Sequence, residues 1–366
     1  MAEAPMTNPA AEEPASAPWP AHISRLAFGA LCAGLLLCLG VAARSAFGDR
    51  GSVRVLRVAH TLPEQHPVHR GIARFAERLA ELSDGRLSAQ IYANAQLGSE
   101  VQYLEQLQAG TLDVAKVSAA PIGNFIPAFQ VFSLPFLFAD EAARWRALES
   151  PAGQELLHGA ITRRADGTAS GLVGLAYYDA GARSFYGKEP ITGPDSIRGR
   201  KWRVMSDVIA MDMVTSLGGS PTPIAFAELY SALTQGVVDG AENNPPSLFS
   251  SRHYEVSRHY ALTEHMAIPD VLVMSARARA RLSPEQQAWI DQAAAESAVY
   301  QRELWAEETQ KALEQLRAAG VEITNPDRSA FFARTSRVRE SRRDGPIGLW
   351  AGRLQAAAQT PSPVSP

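Results

Sequence analysis

The chain is predicted to fold as two α/β lobes flanking a cleft, and three observations carry that expectation. Its 366 residues exceed what one hydrophobic core usually serves, since domains commonly run about 100 to 200 residues. Short apolar runs alternate with amphipathic segments of helical length, the pattern of right-handed βαβ crossovers and a largely parallel sheet, and the pattern occurs twice. No Gly or Pro interrupts Glu285 to Ala319, which as one helix would be roughly 50 Å long at about 1.5 Å per residue. Such a helix could lie across both lobes.

Leu56 to His60 reads as a buried strand, and beyond Pro63 the residues Val68, Ile72, Phe75, Ala76 and Leu79 recur at helical spacing. Gly85 ends that helix and Leu87 to Tyr92 alternates like a strand. A second helix is expected from about Gly98 to Ala109, and a third strand from Asp113 to Ser118. After a helix near Asp140 to Leu148 and a strand at Gly171 to Tyr177, the chain changes lobes. The second lobe repeats the pattern from Ser184 to Leu262. A strand centres on Arg203, one helix runs from about Asp207 to Leu217 and another from about Phe226 to Gln235, and a strand follows at Val237-Val238. Val271 to Ser275 is expected to return to the first sheet. Ser283-Pro284-Glu285-Gln286 then supplies an N-cap, a first-turn proline and a capping-box Gln for the long helix.

Composition excludes several classes. A formal charge of −3, with Lys and Arg scattered, gives no footprint for nucleic acid. Both cysteines, Cys32 and Cys38, fall inside the apolar run from Leu26 to Ala43, so the rest of the chain has no disulfide, thiolate nucleophile or thiolate metal site. That run follows Arg25 and ends in Val41-Ala42-Ala43, the small-residue pattern of a signal-peptidase site; its length also suits an uncleaved signal anchor. The protein is therefore expected outside the cytoplasm, in the periplasm, tethered to the inner membrane if residues 26–43 are not cleaved. Residues 1–25 and 342–366, rich in Ala and Pro, read as disordered extensions.

A catalytic set is not evident. There is no G-x-S-x-G, H-E-x-x-H, Walker or dinucleotide glycine pattern, and His66 and His69, three apart at a helix start, lack the companions of a catalytic zinc site. Binding residues are easier to find. Arg203 sits in a short, mostly apolar strand, where a guanidinium needs a partner, either a ligand carboxylate or an internal acid such as Asp207 or Asp212. Arg183 falls where the chain passes between lobes, the usual place for small ligands. Asn243 follows an expected strand and glycine turn, where an amide is well placed to bond a hydroxyl or carboxylate.

Five segments make the chain similar to a known family: SAQIYANAQLGSE (Ser88–Glu100), VFSLPF (Val131–Phe136), GRKWRV (Gly199–Val204), PTPIAFAELY (Pro221–Tyr230) and GVVDGAEN (Gly236–Asn243). It resembles the solute-binding component of tripartite ATP-independent periplasmic (TRAP) transporters, the DctP family, over roughly Val55 to Ser336. The resemblance implies a two-lobed periplasmic-binding-protein-like fold, each lobe a mixed sheet flanked by helices. It places the carboxylate-anchoring arginine on Arg203, a second ligand arginine on Arg183 and the motif asparagine on Asn243. Phe226 would pack on the ligand, and Thr61, Lys116, Ser118, Ser206 and Asp270 would line the pocket, with Asn244, Tyr178 and His60 as further contacts. The chain departs from the family pattern at Ala241, where many members have Gln, and at Asn244, where many have Pro.

The expected organisation is lobe I from 53–180 and 269–309, and lobe II from 181–268 and 310–341. The expected function is capture of a small organic acid, without cofactor or covalent step, by a monomer that delivers it to a TRAP-type permease. The hydroxyl-rich lining favours a sugar acid such as a uronate or aldonate. The alternatives are a C4-type dicarboxylate with Lys116 on its second carboxylate, a 2-oxo acid, or a membrane-anchored sensor role.

Overall fold

The computed structural model describes residues 53–359. The expected extension at 1–25, the apolar run at 26–43 with both cysteines, and residues 360–366 lie outside the described residues. In chain order the strands are β1 (Arg54–Ala59), β2 (Leu87–Tyr92), β3 (Val114–Ser118), β4 (Leu172–Tyr178), β5 (Arg183–Gly187), β6 (Lys201–Val204), β7 (Ser220–Pro223), β8 (Gly240–Asn243), β9 (His259–Met266), β10 (Asp270–Ser275) and β11 (Glu322–Thr324). The principal helices are α1 (Pro67–Leu82), α2 (Glu100–Ala109), α3 (Glu141–Glu149), α4 (Pro151–His158), α5 (Val208–Ser216), α6 (Pro245–Ser250), α7 (Pro284–Ala318) and α8 (Pro346–Gln359).

One sheet has the order β2-β1-β3-β10-β4 and the other β11-β9-β5-β8-β6-β7. Each is parallel except for one strand: β10 runs antiparallel to β3 and β4, and β5 runs antiparallel to β8 and β9. Those two strands receive the chain directly from the other sheet, from β4 into β5 and from β9 into β10, whereas β11 is reached through helix α7 and joins parallel to β9. A chain leaving the carboxyl end of a parallel strand enters the next sheet from its facing edge, so its first strand there must run the opposite way. The carboxyl ends of the parallel strands thus face each other, which is where α/β sheets bind ligands.

Helix α7 spans both lobes as its uninterrupted sequence predicts, beginning in a capping box of Ser283 with Gln286. Its Ile290, Ala293, Ala294 and Trp305 join the core between β1, β10 and α1, while Leu316, two residues from its end, joins the core of the second sheet. Two expectations are corrected. Val237-Val238 is not a strand: Val237 is 46 % exposed, Val238 is buried, and the strand begins beyond Asp239, at Gly240–Asn243. Gly240 opens that strand because a Cβ there would stand 2.4 Å from both the Trp202 ring and the Tyr186 carbonyl oxygen.

The second correction concerns the end of the chain. Residues 346–359 form helix α8, not a disordered tail: Leu354 is fully buried, Ala351 and Ala358 nearly so, and Arg146 of α3 donates to the Ala358 carbonyl at 2.7 Å. Alanine-rich composition suits a helix as well as a tail, and burial of one apolar face decides between them. Leu354→Ala should therefore cost about 2 to 5 kcal/mol in a urea unfolding titration; a cost near zero would show that α8 adds nothing to the fold.

Candidate functional site

Between the two sheets lies a cavity of about 230 Å³, below the roughly 300 to 1,000 Å³ typical for drug-sized ligands and therefore suited to a small metabolite. Ten of the twelve expected residues line it: Thr61, Lys116, Ser118, Arg183, Arg203, Ser206, Phe226, Asn243, Asn244 and Asp270. Tyr178 and His60 do not. The Tyr178 hydroxyl is turned to Ser297 of α7 at 2.7 Å, and both His60 ring nitrogens are occupied, one by His69 at 2.9 Å and the other by the Leu62 amide at 3.2 Å.

Arg203 is 3 % exposed. Its Nε donates to the Ile224 carbonyl at 2.9 Å, its guanidinium carbon stands 5.9 Å from the Phe226 ring centre, and its Nη1 is buried with no partner. The two acids closest in sequence are spent elsewhere. Asp207 caps α5 through the Ala210 amide and accepts from Ser133, and Asp212 pairs with Arg342. Burial lowers the guanidinium's pKa, with Glu242 pulling the other way. An arginine in this state is charged and short of an acceptor.

Arg183 differs from what was expected of a second ligand arginine. Its Nε and Nη2 fork onto the Glu242 carboxylate, Nη2 also donates to the Glu242 carbonyl at 2.8 Å, and Nη1 donates to Asn243 Oδ1 at 2.9 Å. Four of its five N–H groups are thus occupied within the chain, leaving one for the cavity. Burial is the largest single influence on Glu242 and opposes its ionisation, but the charge and hydrogen bonds of Arg183 together with His265 hold the carboxyl down at about 2. His265 stands 3.8 Å from Glu242, beyond hydrogen-bond distance, so the hydrogen bonds to the carboxylate come from Arg183.

Lys116 is likewise not a free cation. Its Nζ lies 2.8 Å from Glu100 and 3.2 Å from Asp270, both on the first lobe. Burial alone would lower its pKa, yet the two carboxylates raise it; burial raises that of Asp270. Glu100 was missed from the sequence although it closes the Ser88–Glu100 motif, because its place beside the capping Ser99 marks it as an ordinary first-turn acid. Its partner Lys116 is sixteen residues away on β3.

Asn243 ends β8 rather than following a turn, and its Oδ1 accepts from both Arg183 and the Asn244 amide, which leaves its Nδ2 as a donor. Asn244 is fully engaged: Oδ1 caps α6 through the Ser247 amide at 2.9 Å and Nδ2 donates to the Ala180 carbonyl at 2.9 Å. Of the two helix-start histidines, His66 borders the cavity and caps α1, accepting from the Val68 amide at 3.2 Å, with its Nε2 3.1 Å from Ser247 Oγ. Thr61 and Ser118 are buried in the wall, Ser206 is exposed at its edge, and Phe226 supplies an apolar face.

Residues 58–342 match the bacterial extracellular solute-binding proteins, family 7, DctP. The chain belongs to this family. A solute-binding protein of Chromohalobacter salexigens is 38% identical over 275 residues, 74% of this chain and 80% of that relative. A TRAP periplasmic solute-binding protein of a Sulfitobacter species, solved with bound β-D-galacturonate, is 36% identical with a TM-score of 0.78, covering 83% of this chain and 100% of that one. The sugar acid binding protein DctPAm of Advenella mimigardefordensis, solved with galactonate, is 32% identical with a TM-score of 0.79, covering 84% of this chain and 98% of that one.

The histidines around the DctP cavity give it a pH signature. Burial, joined by the charges of His69 and Lys116, holds His60 down at about 3; burial and Arg203 do the same to His253, whose Nδ1 pairs with the Tyr186 hydroxyl at 2.8 Å. The unfolded chain takes up these protons near pH 6.5, so each contributes stability that is complete above pH 6.5 and is lost as pH falls toward 3, at up to about 1.4 kcal/mol per pH unit. The imidazole NMR signals of both should not titrate between pH 8 and 5, and titration of either inside that window would contradict the buried neutral state.

Proposed function

We propose that this protein captures a sugar acid, a uronate or aldonate, by its carboxylate on Arg203 and delivers it to a TRAP-type permease. The observation that carries this reading is the buried, unpaired guanidinium at the cavity wall. An uncompensated charge out of water costs several kcal/mol, and a ligand carboxylate relieves that cost on binding. Asn243 Nδ2 and the remaining Arg183 N–H supply further donors beside it.

The rest of the ligand would meet Thr61, Ser118 and Ser206 and the Glu100–Lys116–Asp270 cluster on the other lobe, with Phe226 against its apolar face. Two carboxylates around one ammonium offer acceptors for sugar hydroxyls and repel a second anion. The C4-type dicarboxylate reading needs a free Lys116, and this lysine already has two acids. The galacturonate and galactonate held by the two solved relatives have the corresponding chemistry, one carboxylate with several hydroxyls.

In this reading, lobe I (53–180 and 269–309) and lobe II (181–268 and 310–341) close on the ligand by a hinge motion, because it bridges groups from both. The protein acts outside the cytoplasm as a monomer and releases its ligand chemically unchanged.

Isothermal titration with galacturonate, galactonate and succinate tests the proposal. Wild type should bind a sugar acid and reject succinate. Arg203→Met should lose about 2 to 5 kcal/mol of binding free energy while leaving the melting temperature of the ligand-free protein unchanged or higher, since it removes an unpaired buried charge. Glu100→Gln should narrow the preference for galacturonate over succinate. Sugar-acid affinity retained in Arg203→Met would refute the anchor role.

A further inference from the structure

We infer that Asn244 couples the ligand cavity to the hinge, acting as a positioning residue for closure and not only as a helix cap. The inference rests on the proposed binding of a sugar acid for its ligand-dependent part. Asn244 is 3 % exposed and borders the cavity, yet its side chain makes no unspent polar contact there. Its Oδ1 accepts from the Ser247 amide and so starts α6. Its Nδ2 crosses to the Ala180 carbonyl, which lies in the short segment between β4 and β5 where the chain passes from one sheet to the other.

That segment is held from three directions. Gln301 of α7 grips Asp179 with its amide, accepting from the Asp179 N–H at 2.7 Å and donating to its carbonyl at 2.9 Å. Arg144 and Trp145 of α3 hold the Asp179 carboxylate at 2.7 and 3.1 Å, and the Gly181 amide donates back to it at 2.7 Å. From the second lobe, the side chain that reaches the segment's backbone is Asn244. Gly181 takes a φ of +61°, where glycine alone turns freely, and the Trp305 ring lies 3.0 Å from where its Cβ would be.

The connection back to the cavity is also direct. The Asn244 N–H donates to Asn243 Oδ1, and that oxygen accepts from Arg183 as well. A ligand that engages Asn243 or the open N–H of Arg183 therefore acts on the same peptide unit whose side chain holds the hinge carbonyl. A proline at this position would offer neither the amide donor nor the backbone N–H. The link is thus a property of this chain's own residue.

Asn244→Ser separates the two roles. Serine keeps an N-cap acceptor for Ser247 but cannot reach Ala180. The variant should melt close to wild type, bind galacturonate about tenfold more weakly, and lose the ligand-induced slowing of amide hydrogen exchange at residues 181–183. Asn244→Asp keeps the cap acceptor but sets a buried carboxylate oxygen against the Ala180 carbonyl, and Asn244→Ala loses the cap, so both should weaken binding and also melt lower. Wild-type affinity together with wild-type exchange at the hinge in Asn244→Ser would overturn the coupling. If wild type itself binds neither galacturonate nor galactonate, the sugar-acid reading fails while the tie is judged without ligand: faster hinge exchange in Asn244→Ser than in wild type supports it, and equal exchange refutes it.

Discussion

One buried carboxylate stands among two buried guanidiniums, and the site depends on how it is shared. Glu242 gives both oxygens to Arg183, so Arg203 is left with a backbone carbonyl, an aromatic face and an unpaired Nη1. Desolvating an isolated cation is among the costliest things a fold can do, and pairing restores only what good geometry allows. Had Glu242 bridged the two arginines, each would have been half satisfied and a ligand would have gained little from either. Complete pairing of one leaves the whole deficit on the other, which is why the proposed carboxylate capture rests on a single side chain.

The backbone makes that division possible. Arg183 opens β5 and Glu242 lies on β8, and these neighbouring strands run antiparallel with Ser184 opposite Asn243. The reversal of β5 follows from the chain's entry across the cleft, so the topology that forms two lobes also sets the acid beside the first arginine. Arg203, on β6 beyond β8, stays outside this register. The same logic on the other lobe brings Asp270, first residue of the reversed β10, opposite Ser118 and close to Lys116 on β3.

What the sequence reveals and hides follows from the range of the interactions. The strand around Arg203, the capping box that starts α7 and the unbroken run that follows it depend on local pattern, and each is readable without any long-range partner. The partners of Arg183 and Lys116 are not: Glu242 is 59 residues from the one and Glu100 is 16 from the other. A sequence read residue by residue therefore counts three cleft cations where the fold leaves one unpaired. The error at Val237-Val238 has another cause. An apolar pair beside a glycine looks like a strand, while the actual strand carries a charge that only its long-range partner makes tolerable in a core.

Counting unspent hydrogen-bond capacity, rather than polar residues, sharpens what such a cavity can recognise. Asn244 drops out because both ends of its amide are engaged, Lys116 because two acids hold it, and most of Arg183 because Glu242 and Asn243 do. What remains on the second lobe is a cluster of donors: Arg203, one N–H of Arg183 and the Asn243 amide. What remains on the first is hydroxyls and surplus carboxylate oxygens. Donors on one wall and acceptors on the other match a molecule with an anion at one end and hydroxyls at the other. Because each half satisfies only part of that molecule, full satisfaction requires both walls together, so in the proposed function recognition and lobe closure are a single event.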